Sequence, residues 1–171
     1  MTAAHVSDAA EQSAAFAATG DNTGLMILRC GGWEFGLDVN RVREIRPLPH
    51  ITPIPGFPAF WRGLTALRGE LYPVLDLRQF LWLEESFDQP LRQVAFTAVN
   101  GLALGLLVEE ILAVRWVATG IMTNAEASDL PAYTLGHTVD QTILLDLPNL
   151  YRAATEFYSV AGTESLLKQT I

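Results

Sequence analysis

The chain repeats itself, and that restricts its fold more than any other feature. Phe35-Gly36-Leu37-x-Val39-x-x-Val42-x-x-Ile45 recurs 69 residues later as Leu104-Gly105-Leu106-x-Val108-x-x-Ile111-x-x-Val114. Val74-Leu75-Asp76-Leu77-x-x-Phe80 recurs 70 residues later as Leu144-Leu145-Asp146-Leu147-x-x-Leu150. Two independent motifs with nearly equal offsets indicate two copies of one β module. Each copy, at about 60–70 residues, is marginal alone, so the copies are expected to pack together. Many short apolar runs separated by turn signals favour small barrels, which also remove exposed strand edges.

Taken in order, Leu25–Leu28, the Gly31-Gly32 turn and the alternating Trp33–Val39 read as a hairpin. Apolar residues at 39, 42 and 45 fit a short helical turn, a strand, or one leading into the other. Five prolines between Pro47 and Pro58 exclude a helix or a central strand there and mark an extended crossover. A tight turn at Arg68-Gly69 separates the apolar runs Leu64–Leu67 and Leu71–Leu77. The polar stretch 84–93 is the expected boundary between halves. Val94–Val99 and Leu102–Val108 around Asn100-Gly101 form a second hairpin. Thr119–Ala132 reads as a loop and Thr142–Leu147 as a last strand. Apolar positions 147, 150, 151, 154, 157, 158 and 161 then fit a helical face.

The repeat breaks at one place. Counting back from the shared aspartate, Arg68-Gly69-Glu70 aligns with Thr138-Val139-Asp140, so the Arg-Gly turn belongs to the first copy alone. A feature left out of the duplication is a candidate for function; the other reading is an ordinary turn that drifted.

A formal net charge of −8 with scattered cations argues against nucleic-acid binding and suits a soluble protein or one whose partner is basic. The single cysteine, Cys30, allows no internal disulfide and is expected to be buried. Residues 1–24 lack the basic and apolar regions of a secretory signal and are expected to be a disordered leader, in a cytoplasmic protein. His5, His50 and His137 have no metal-ligand spacing, and no nucleotide or nucleophile motif is present, so no catalytic residue, cofactor or metal is expected. Asp76 and Asp146 occupy the same position in each repeat and are expected to cap turns or helices rather than catalyse. Trp33, Phe57, Phe60, Trp61, Phe80 and Trp82 are either interface anchors or core packing.

The spaced set Phe35-Gly36-Leu37-Asp38-Val39, Val42-Arg43-Glu44-Ile45-Arg46, Ile54-Pro55-x-x-Pro58, Gly63-Leu64-x-x-Leu67-Arg68-Gly69 and Pro73–Leu77 resembles the CheW family of chemotaxis coupling proteins. Gly105, Val108-Glu109, Tyr133-x-x-Gly136 and Leu144–Asp146 extend the likeness, which covers 25–152. The resemblance implies an all-β, CheW-like domain of two SH3-like, five-stranded barrels with short helical turns, followed by a C-terminal helical tail, 153–171. It implies a non-enzymatic adaptor joining chemoreceptor cytoplasmic tips to the regulatory domain of a CheA-type histidine kinase. Output would be flagellar chemotaxis or type IV pilus motility. The partner-binding residues it implies are Glu44, Arg68, Gly69, Val39 and Val42, with Glu44 and Arg68 able to form a surface ion pair. Departures are Ala66 where Asn is common, Glu109 for a commoner Asp, and the aromatic stretch Phe80–Leu83. A regulatory or small-ligand-binding barrel is the alternative; it predicts an apolar pocket inside one barrel, whereas coupling predicts filled barrels and an external groove.

Overall fold

A computed structural model describes residues 22–83, 89–118 and 131–156. Ten strands form two five-stranded sheets. The strands are β1 (Asn22–Cys30), β2 (Trp33–Asp38), β3 (Val42–Pro47), β4 (Trp61–Leu67), β5 (Glu70–Asp76), β6 (Gln93–Val99), β7 (Leu102–Val108), β8 (Glu110–Ala118), β9 (Thr134–His137) and β10 (Ile143–Leu145). A 3-10 turn, Val39–Arg41, precedes β3, so both readings of that stretch hold in succession. A short helix, Leu77–Phe80, follows β5, and residues 147–156 are helical after β10.

The strand order is β8-β1-β2-β10-β9 in one sheet and β3-β6-β7-β5-β4 in the other. Each sheet therefore takes a hairpin from one repeat and three strands from the other. This differs from two self-contained modules side by side: the repeats are interlaced. The interlacing runs through two equivalent parallel pairings. Gly36 of β2 sits against Leu144 of β10, and Gly105 of β7 sits against Val74 of β5. The duplicated glycine is explained there. A Cβ on Gly36 would lie 3.0 Å from Leu144, and one on Gly105 would lie 3.0 Å from Val94.

Period-two alternation sorts the strand residues into three layers. Leu25, Ile27 and Leu144 fill the interior of the first sheet, with Leu112, Val117 and Leu135 against them. Leu67, Tyr72, Val74, Val94, Phe96 and Leu107 fill the second. The opposite faces, carrying Met26, Leu28, Phe35, Leu37, Leu75, Ala95, Leu104 and Leu106, pack into the core between the sheets. Leu77, Phe80, Leu147, Leu150 and Ala154 close it. Cys30 is buried in this layer, and burial, with Glu109 and Asp76 nearby, pushes its thiol up to about 12.

Thr52 and Leu64 exchange backbone hydrogen bonds of 2.8 and 2.9 Å, which ties the proline-rich crossover to β4. Gly63 permits this approach: its φ is +133°, and a Cβ there would fall 2.0 Å from the Thr52 carbonyl oxygen.

The first strand begins at Asn22, inside the stretch expected to be leader. The remaining leader, residues 84–88 of the expected boundary, 119–130 of the loop and the tail beyond 156 lie outside the described residues. The helical face expected from position 147 is helical from 147 to 156. Among the described residues, no helix is long and apolar enough to cross a membrane.

Candidate functional site

Strands β4 and β5 are joined by the two-residue loop Arg68-Gly69, with Leu67 paired to Glu70. Both loop residues have positive φ, +52° and +82°. A turn with positive φ at both residues matches the twist of a two-residue hairpin, and it favours Asn-Gly. Asn100-Gly101 makes the same turn between β6 and β7 with φ of +50° and +78°. Arginine at the first position costs about 1–2 kcal/mol in backbone conformation.

A bulge brings β3 to this loop. Val42 pairs with Thr97 and Glu44 with the adjacent Phe96, which leaves Arg43 without a partner residue on β6. Neighbouring residues of a regular strand point to opposite faces. The bulge lets Arg43 and Glu44 both reach the β4–β5 hairpin. Arg68 Nη2 lies 3.0 Å from Glu44 Oε2, and Arg46 Nε lies 2.6 Å from Glu44 Oε1. Arg43 Nη1 donates to Glu70 Oε2 at 2.7 Å and to the Tyr72 hydroxyl at 2.9 Å. That hydroxyl in turn donates to Glu70 at 3.2 Å. The Tyr72 ring is buried, edge-on to Phe96 at 5.0 Å, so the cluster is anchored in the barrel interior.

Exposure separates the members. The Arg68 side chain is 78% exposed and that of Glu44 only 20%. An ion pair this exposed contributes about 0–1 kcal/mol, less than or equal to the strain at Arg68. Folding stability therefore gives no reason for arginine here.

Glu44, Arg68 and Gly69 thus come together as one site. Val39 and Val42 do not enter its charge network. Val39 packs over Gly24, where a Cβ would meet it at 2.7 Å and the Trp116 ring at 3.2 Å. Val42 is half-buried against the core between the sheets. Arg43, Arg46 and Tyr72 were not singled out by sequence reasoning, which placed Glu70 only at the exposed turn. The readable signal was the charge alternation Arg43-Glu44-x-Arg46, one residue out of step with a regular strand.

Asp76 and Asp146 act as caps. Asp76 Oδ1 accepts from the Gln79 amide at 3.1 Å, and Asp146 Oδ1 from the Asn149 amide at 3.1 Å. Glu109 is buried, accepts from the Gly31 amide at 2.9 Å and lies 3.6 Å from Arg78. Among the described residues, no group of three or more His, Cys, Asp or Glu could hold a metal ion. Of the six aromatics, Phe80 is buried, Phe60 and Trp61 pack on the core, and Trp33, Phe57 and Trp82 are exposed.

An apolar cavity of about 440 Å³ is lined by Trp33, Phe35, Leu81, Tyr133, Ile143 and Leu145, among others. Phe35, Ile143 and Leu145 lie on the face away from Leu144, so this cavity is outside the barrel interior that Leu144 fills.

The family model for the CheW-like domain matches residues 24–155. The chain belongs to the CheW-like domain family. The chemotaxis protein CheW of Klebsiella aerogenes is 38% identical over 65 residues, 37% of this chain and 39% of that protein. A probable chemotaxis protein CheW of Rhizobium etli is 34% identical over 109 residues, 62% of this chain and 70% of that protein. The scaffolding protein TtCheW of Thermoanaerobacter tengcongensis superimposes with a TM-score of 0.67 at 23% identity, covering 74% of this chain and 90% of that one. That likeness establishes the CheW fold of two SH3-like sheets.

Proposed function

We propose that this CheW-like chain is a non-enzymatic, cytoplasmic adaptor. It couples chemoreceptor cytoplasmic tips to the regulatory domain of a CheA-type histidine kinase, in flagellar chemotaxis or in type IV pilus motility. One observation carries the reading: in a CheW-like domain, an arginine is held out on the unduplicated β4–β5 turn, paired to Glu44 of β3, at a conformational cost that stability does not offset. Glu44, Arg68 and Gly69 form the coupling surface, and Val39 and Val42 extend it as an apolar shoulder. Gly69 holds the turn at φ +82°. The test is kinase activity in an array reconstituted from a receptor fragment, the kinase and this chain. Arg68→Ala should leave the fold intact and weaken receptor control of the kinase. An unchanged kinase response would remove Arg68 from the coupling role.

A further inference from the structure

The apolar cavity beside Trp33 has a counterpart on the second barrel. Pro131, Tyr133 and Ile143 line it from the second repeat, and Leu81 from the first. Shifted by the repeat offset of 70, these positions are Trp61, Gly63, Pro73 and Tyr151, and all four line a cavity of about 160 Å³. The duplication thus made one cleft twice, and the copies differ in what walls them. Ile54 and Phe57 of the proline-rich crossover line the smaller cavity. The residues at the same offset from these two, Asn124 and Ala127, carry neither a large aliphatic group nor a ring. The backbone differs as well. After the helix Leu77–Phe80, Trp82 takes φ +54°, and Leu81 and Leu83 on either side of it both line the larger cavity. In the other copy the helix runs on through Arg152, the counterpart of Trp82. Leu83 is held against the β1–β2 turn, where a Cβ on Gly31 would fall 2.5 Å from its own Cβ. Gln141, also in the lining, has φ +66°. Strained backbone of this kind concentrates at ligand sites.

We propose that the larger cavity binds a small uncharged aromatic molecule with one hydrogen-bonding group, of the chemistry of indole or a phenol. Its volume of about 440 Å³ is that of a small-ligand site, and such sites are mostly apolar with a few polar groups. Trp33, Phe35 and Tyr133 offer rings for stacked or edge-on contact. Thr134, His137 and Gln141 supply the polar part of the lining. Among the described residues that line it there is no Asp, Glu, Lys or Arg, so a charged guest would lose its water and gain no ionic partner. The counterpart cleft shows the kind of group that suits this shape, since there the chain lends it the ring of its own Phe57. The cavity lies on the first sheet and the Arg68 turn on the second, so its role does not depend on the adaptor reading.

Titration of the full chain with indole, followed by amide NMR, tests this. Saturable shifts should appear at Trp33, Leu83, Gly136 and Ile143, and not at the counterpart positions Gly63 and Tyr151. Indole-3-carboxylate, the same ring bearing a charge, should bind more weakly by about tenfold or more. Trp33→Ala should weaken indole binding about tenfold in calorimetric titration. Trp33 is 54% exposed, so this variant should keep the urea midpoint of the unaltered chain. Trp116→Ala removes an exposed ring outside the cavity and should leave indole binding unchanged. Absence of saturable shifts would overturn the proposal, as would shifts centred on Trp116. Equal binding of indole-3-carboxylate would overturn the uncharged class of ligand. If indole fails to bind while the regulatory domain of the kinase perturbs these same amides, the cleft is a protein interface and the proposal falls.

Discussion

Replacing Arg68 by Asn should separate stability from coupling. In the folded chain Arg68 sits at φ +52°, which costs an ordinary L-residue about 1–2 kcal/mol relative to right-handed backbone. Asn tolerates this region well, and Asn100 occupies it at φ +50° in the equivalent position of the β6–β7 hairpin. The substitution therefore recovers a large part of that strain. It removes the 3.0 Å contact with Glu44, but the arginine is 78% exposed, so the pair contributes about 0–1 kcal/mol and is screened by salt. Glu44 keeps its 2.6 Å contact with Arg46 and is not stranded. The balance is a chain of equal stability, or one more stable by up to about 1 kcal/mol, a few degrees in Tm. Urea unfolding should show the midpoint unchanged or raised with the slope unaltered. Receptor control of the kinase should nevertheless fall. A loss of more than about 1 kcal/mol would refute the reasoning, because it would make the Glu44–Arg68 contact a structural tie stronger than an exposed pair can be.

Two further outcomes follow from buried positions. Burial raises the Asp76 carboxyl above its ordinary value of 3.8, against the opposing pull of the Gln79 amide, Arg62 and Arg78. The folded chain then binds that proton more tightly than the unfolded chain, so this group's contribution to stability falls as pH rises from 3.8 through the raised folded value. Asp76→Asn, which retains an acceptor for the Gln79 amide, should flatten that part of the stability–pH curve in urea titrations; an unchanged slope would exclude Asp76 as its source. Gly63→Ala should cost about 2–4 kcal/mol, since a Cβ would fall 2.0 Å from the Thr52 oxygen and the backbone conformation disfavours it as well. Thermal unfolding measures it, and a Tm close to that of the unaltered chain would show that the crossover can move away from β4 without loss.

What the sequence disclosed and what it withheld divide along the range of the interactions. Gly31-Gly32, Arg68-Gly69 and Asn100-Gly101 were readable as turns because a two-residue hairpin depends on its own φ values. Asp76 and Asp146 were readable as caps because the amides they accept from lie three residues on. The duplication itself was plain in the spacing. The exchange of strands between repeats was not, because β2 beside β10 and β5 beside β7 are pairings between distant segments that period-two alternation supports equally in either arrangement. The repeated glycine held the clue, since in both copies it lies where the strand of the other copy crosses closely. At the site, Arg68 came from the break in the repeat and from family likeness, and Glu44 from family likeness alone. Arg43 and Tyr72 remained hidden because the bulge that turns Arg43 toward Glu70 leaves no mark in hydropathy.

The two sheets are tied by ion pairs in corresponding ways, and the comparison bears on the place of the exposed Arg68. In the first sheet Arg115 of β8 lies 2.9 Å from Asp140 in the β9–β10 connection and 3.1 Å from Glu34, while Thr138 hydrogen-bonds Asp140. That arginine faces two carboxylates, and its charge is consumed within the fold. In the second sheet the same closure is made by Arg43 with Glu70, and Arg46 settles Glu44. Arg68 is added to a closure already complete, on a turn whose geometry resists it. Its removal therefore leaves every buried or half-buried acid of the cluster with a partner. A residue surplus to the fold in charge, strained in backbone and exposed in side chain is the one we propose to act on something outside the chain. The duplicated parts of the sequence build the two barrels, and the unduplicated β4–β5 turn of the second is where we propose that the partner docks.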